Sequence, residues 1–179
     1  MSSYILPNFG ILNLKSLQEH SEAQIVLAGH RVQLDLNFAG TAIRATRMEI
    51  AKNIIQHLEE HNTANLLTIR SNVNAESSLE GPGAVRAYLE HHTELMPAGE
   101  WEEPGDVNDE INPQDQMLSQ ILLKIHLFRV RLYPESADLF AVFDYSIGRY
   151  LTEYVLALNL NEKGTLESIA MERCPGLRN

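Results

Sequence analysis

From Ile25 to Phe38 apolar and polar side chains alternate. Ile25 and Leu27 fall on one side, Gly29-His30 suits a tight turn, and Val32, Leu34, Leu36 and Phe38 resume the period of two. Arg31, Gln33, Asp35 and Asn37 between them are expected to face water, as in a one-sided antiparallel pair. The period then lengthens. After Gly40, Thr41 suits a helix N-cap, and Ile43, Ile50, Ala51, Ile54, Ile55 and Leu58 recur at helical spacing up to His61, with Asn62 as C-cap. Leu66, Leu67, Ile69 and Val73 fit a short second helix, although 66–70 reads equally as a strand. After a break over 77–83, Val85, Tyr88, Leu89, His92, Leu95 and Met96 mark one face of another helix. Pro113 fits the first helical position behind Asn112 as N-cap, with Met117, Leu118, Ile121, Leu122 and Ile125 as the apolar face.

Four apolar runs close the chain: Leu127–Tyr133, Leu139–Ile147, Tyr154–Leu160 and Leu166–Arg173. In the first, Phe128, Val130 and Leu132 are expected to point one way and Arg129 and Arg131 the other. The second is apolar on both faces in places, which predicts a central strand covered on both sides. Asn161-Glu162-Lys163-Gly164 reads as the turn between the last two. At the other end, 4–14 read as an extended lead-in around Pro7-Asn8-Phe9-Gly10, with Ile11, Leu12 and Leu14 as a short edge strand. Strands, then helices, then strands joined by short turns predict an α+β fold. The expected sheet is mainly antiparallel, an N-terminal hairpin plus a C-terminal four-stranded meander, with three to four helices packed on one face. Whether the two strand groups share one sheet is not readable from the pattern.

At 179 residues the chain fits a single domain, 1–179, able to bury its own core. Two segments stand apart. Residues 97–112 have the composition of a surface loop and carry Glu100, Glu102, Glu103, Asp106, Asp109 and Glu110 around Trp101, without a Lys or Arg. Residues 174–179 read as a flexible tail. The net charge of −10 opposes nonspecific attraction to nucleic acid or an anionic membrane and leaves a basic protein as the favoured partner. No apolar run approaches the roughly 18 residues of a membrane span, and the first residues lack a signal-peptide pattern. With Cys174 as the single cysteine, the cytoplasm is the expected compartment.

Candidate chemistry is sparse. His57-Leu58-Glu59-Glu60-His61 matches the H-x-x-E-H pattern of one zinc-protease class, because histidines four apart share a helix face. Against it, the motif falls in the last turn of its predicted helix, and a third ligand is not evident. His92 continues the apolar face of its helix and reads as a core histidine bonded to something buried, with a base or ligand role as the alternative. Asp106 to Glu110 resembles part of a calcium loop but has Ile111 where glycine is needed and Met117 where the bidentate acid belongs. Arg129, Arg131, Asp144 and Arg149 suggest a charged sheet face in which Asp144 partners an arginine. Trp101 with Glu102, Glu103, Asp106, Asp109 and Glu110 offers a partner-binding anchor steered by charge.

Phe9-Gly10, the run Tyr88-Leu89-Glu90-His91-His92, Leu132-Tyr133-Pro134, Phe143-Asp144-Tyr145-Ser146-Ile147 and the segment 164–172 resemble a small bacterial family of unknown function. That resemblance implies a cytoplasmic α+β protein of accessory or immunity type and carries no catalytic residue. The leading expectation is therefore a non-enzymatic protein-binding module, of the immunity kind that neutralises a toxin, working as a monomer or homodimer and without a cofactor. The alternatives are a small metal-dependent hydrolase using His57, His61 or His92, and a structural homodimer.

Overall fold

The computed structural model describes residues 3–40, 42–73, 83–95, 113–148 and 150–174. Two strands, β1 (Ser3–Leu6) and β2 (Gly10–Asn13), form a separate antiparallel hairpin. Its turn has Asn8 at φ 68° and Gly10 at φ 80°, a left-handed geometry that asparagine tolerates and glycine adopts freely. Six further strands make one sheet: β3 (His20–Leu27), β4 (His30–Asn37), β5 (His126–Leu132), β6 (Ala141–Ser146), β7 (Tyr154–Leu160) and β8 (Leu166–Arg173), in that spatial order. Between β4 and β5 run α1 (Ala45–Gln56), α2 (Leu58–Ser71), α3 (Ala84–Thr93) and α4 (Pro113–Lys124). The fold is α+β with a mostly antiparallel sheet, and no described helix is long and apolar enough to cross a membrane.

The two strand groups meet in a single sheet because β4 pairs with β5 in parallel, Gln33 opposite Arg129 and Leu36 opposite Leu132. All other neighbouring pairs are antiparallel. The β3–β4 turn lies one residue earlier than Gly29-His30. Ala28 at φ 48° and Gly29 at φ 82° form the two-residue loop, and His30 already pairs with Leu27. The turn at 161–164 forms as expected: Gly164 stands at φ 75°, and Asn161 Oδ1 accepts from the Lys163 and Thr165 backbone N–H groups.

The apolar face of the sheet contributes Val32, Leu34, Leu36, Val130, Leu132, Phe143, Tyr145, Leu156 and Leu158 to one buried cluster. Met48, Ile54, Leu58, Ile69, Val85, Leu89, Leu118 and Ile121 join it from all four helices. Each fully buried Leu or Ile adds about 1.5–3 kcal/mol. β6 is buried along its whole length, as its two-sided apolarity predicts.

The helical segment departs from expectation. No single helix reaches His61, because the chain breaks at His57 (φ −113°, ψ 28°), which ends α1 and precedes α2. Asn62, expected as a C-cap, is instead buried inside α2 and accepts a hydrogen bond from the Tyr145 hydroxyl at 3.1 Å. The buried stripe of α2 is Leu58, Asn62, Asn65 and Ile69. Two asparagines in that stripe hide its phase from a reading of apolar residues alone. Residues 66–70 are helical, not a strand.

Candidate functional site

The opposite face of the sheet is polar, and a β-bulge in β5 sets Arg129 on it while keeping Leu127 on the apolar side. Along β5, Leu127 pairs with Tyr145 but Arg129 pairs with Asp144, so Phe128 is the extra residue. Without it, Leu127 and Arg129, two apart, would share a face. With it, Leu127, Val130 and Leu132 enter the main core while Arg129 and Arg131 turn to the other side. Phe128 does not join Val130 and Leu132 as expected; it packs with Val155 and Cys174 in a small separate cluster.

On this face Asp144, with no exposed surface, receives Arg129 Nε on one oxygen and Arg131 on the other, both at 2.7 Å. Arg131 also reaches Glu172 at 3.1 Å, and Arg129 donates to Cys174 Sγ at 2.8 Å. Burial opposes the charged form of both arginines, but the attraction of Asp144 outweighs it and raises both guanidinium groups above the ordinary arginine value. Each carboxylate oxygen of Asp144 is occupied by a cation, so this set holds strands together rather than offering a free base. Cys174 is anchored too, its backbone N–H donating to the Glu153 carbonyl at 2.7 Å.

Toward the other edge the polar face changes character. Asp35, in register with Arg131 on β5 and Glu22 on β3, is only 5% exposed and does not face water as its place in the alternation suggests. Gln33 Nε2 donates to it at 2.8 Å. His20, on β3, has both ring nitrogens engaged: Nδ1 with Asn37 Oδ1 at 2.9 Å and Nε2 with Glu22 Oε1 at 2.8 Å. The Glu22 bond first, then that to Asn37, raises the imidazole above its ordinary value. His20 and Glu22 also line a groove of about 510 Å³ shared with Phe9, Ile11, Leu12 and Leu17 near the N-terminal hairpin.

The histidines singled out by pattern are placed differently. His57 is exposed at the helix break, its Nδ1 donating to the Asn53 carbonyl at 2.9 Å. His61 is half-buried against the Phe143 ring, and burial, then the nearby His57, lowers its pKa. His92 is the core histidine its position predicts. Nδ1 donates to the Tyr88 carbonyl at 2.5 Å and Nε2 accepts from Thr152 at 2.7 Å, which fixes the neutral tautomer; burial lowers its pKa. Among the described residues, one group of three histidine or acidic side chains brings its ligand atoms together, and it is His20, Glu22 and Asp35. The pattern of β3 contains the signal for it. Extended backwards from Ile25, the alternation reaches Ala23 and Ser21 on one side and Gln24, Glu22 and His20 on the other.

Trp101, Glu102, Glu103, Asp106, Asp109 and Glu110 lie outside the described residues, as do Thr41, Asn112 and Arg149. No family model matches the chain, and neither a curated protein nor a solved structure matches it, which leaves geometry to carry the functional reading.

Proposed function

We propose that the protein is a non-enzymatic protein-binding module whose contact surface is the N-terminal hairpin together with the outer edge of β3. One observation carries this reading. Ile5 and Ile11 stand directly opposite each other on β1 and β2 and are 70% and 76% exposed. A paired apolar knob of that kind serves the fold little and suits an interface anchor. Val26, also exposed, lies on β3, whose outer edge pairs with no other described strand. An edge of this sort accepts an added strand from a partner. The net charge of −10 favours a partner with a basic surface. An immunity protein that covers a toxin in the cytoplasm is the form of this partnership we favour, with the acidic segment 97–112 as a second contact.

The test compares two sets of substitutions in the full chain. Ile5→Glu with Ile11→Glu disables the hairpin, and Glu102→Lys with Glu103→Lys and Asp106→Lys reverses the loop. A partner recovered on wild-type protein is identified, purified and titrated against each variant. Binding weakened at least tenfold by the hairpin pair supports the reading. Binding untouched by the hairpin pair overturns the hairpin as contact surface, and binding untouched by the loop set removes the loop. Light scattering on the same proteins separates a foreign partner from self-association through β3: a dimer abolished by the hairpin pair makes the partner a second copy.

A further inference from the structure

We propose that His20, Glu22 and Asp35 form a site for one first-row divalent metal ion of the zinc type, with its open coordination position toward the groove beside the N-terminal hairpin. The strand register assembles the three ligands. His20 and Glu22 are two apart on β3 and share its polar face, and Glu22 lies directly across from Asp35 on β4. One ring nitrogen and one oxygen from each carboxylate lie within 4.8 Å of one another. An ion with ligand distances of about 2.0–2.2 Å draws such atoms together by small side-chain rotations.

Two features beyond proximity point to an ion. Asp35 is a carboxylate 5% exposed that makes no ion pair among the described residues, its hydrogen bond coming from the neutral amide of Gln33. Arg129 and Arg131 on the next strand are both directed to Asp144 instead. Two carboxylates this close favour a cation among them: the protonated His20 imidazole supplies one charge, and a divalent ion in place of its Nε2 proton supplies two. The second feature is support from behind. Asn37 donates its amide to the Leu132 carbonyl at 3.4 Å, which turns its Oδ1 toward His20 to accept the Nδ1 proton. That bond leaves Nε2 as the donor atom for a metal, and Gln33 fixes the Asp35 carboxylate in the same way; metal ligands are characteristically oriented by such neighbours.

An imidazole in the set selects zinc and its neighbours over magnesium or calcium, which take oxygen ligands. The Nε2–Glu22 bond at 2.8 Å holds a proton where the ion would sit, so binding exchanges that proton for the metal. His20 and Glu22 also line the groove, which gives a fourth ligand, water or an oxygen of a bound molecule, its approach.

The experiment is a zinc titration of the purified full-length protein in competition with a chromophoric chelator. The expected result is one equivalent bound, with release of a proton. His20→Ala and Glu22→Gln should each weaken binding more than about 100-fold, and Asn37→Ala about 10- to 100-fold. His57→Ala with His61→Ala should leave it unchanged. Cobalt in place of zinc should give the visible absorption of a four- or five-coordinate ion, lost in Glu22→Gln. Glu22 is exposed, so its substitution tests the site even if replacing His20 disturbs the strand. Absence of stoichiometric zinc, affinity preserved in Glu22→Gln, or affinity lost in the His57/His61 pair overturns the proposal. None of these outcomes bears on the Ile5–Ile11 surface, so the two readings stand or fall separately.

Discussion

Phe143 and Asp144 are adjacent on β6 and both are completely buried, yet opposite means keep them there. Phe143 points into the cluster that the helices complete, where burial itself is the driving force. Asp144 points to the polar face, where burial is a penalty offset by two guanidinium groups at 2.7 Å. One strand thus separates a region held by nondirectional packing from one held by directed charge. The second kind constrains which residues can stand at each position, and it commits Arg129 and Arg131 to Asp144, so that Asp35 is left with the Gln33 amide and the nearby His20 imidazole.

Single substitutions should expose the contrast. Phe143→Ala creates a cavity and should cost about 3–5 kcal/mol in denaturant unfolding. Asp144→Ala should cost about 3 kcal/mol, near the low end for a broken buried pair because Arg129 and Arg131 keep about a fifth of their surface in water. The two losses differ in how they are repaired. Asp144→Leu combined with Arg129→Met and Arg131→Met should recover most of the stability, since apolar groups of similar volume can replace a buried ion network. Failure of the triple variant to recover would mean that this face depends on the charges in some further way.

Protonation should separate the regions next. Burial lowers the pKa of His92, which lies among Tyr88, His91 and Thr152, and that of His61. The unfolded chain, titrating near the ordinary 6.5, therefore binds protons that the folded chain refuses. Each histidine's contribution is complete above that value and is lost as pH falls toward its lowered folded value, by up to about 1.4 kcal/mol per pH unit. Stability measured from pH 7.5 to 5 should decline, and His92→Gln should flatten the decline while lowering the plateau. An unchanged slope in that variant would remove His92 as a source. The smallest expected effect on folding belongs to the exposed hairpin: Ile5→Thr and Ile11→Thr should each shift stability by no more than about 0.5 kcal/mol, while partner binding falls.

Regular alternation made much of this architecture readable. The last two strands have the bounds their residues imply, β4 is offset by one residue at each end, and the central place of β6 follows from apolar residues on both its faces. What period alone cannot convey is an irregularity. The extra residue at Phe128 shifts the phase of β5, and two buried asparagines conceal the phase of α2. The parallel β4–β5 pairing joins residues almost a hundred positions apart, and no local signal reports it. The same holds for the candidate site. His57 and His61 draw attention because they are close in sequence, whereas His20, Glu22 and Asp35 are brought together by a hairpin register that must be known before they can be read as a group.

The most direct test of where binding chemistry resides is a zinc titration of isotope-labelled protein followed by amide and imidazole NMR signals. Shifts concentrated at His20, Glu22, Asp35 and Asn37, saturating at one equivalent, are the predicted result. Shifts centred on His57, His61 or His92, or none at one equivalent, would contradict the assignment of that chemistry to the β3–β4 rim of the sheet.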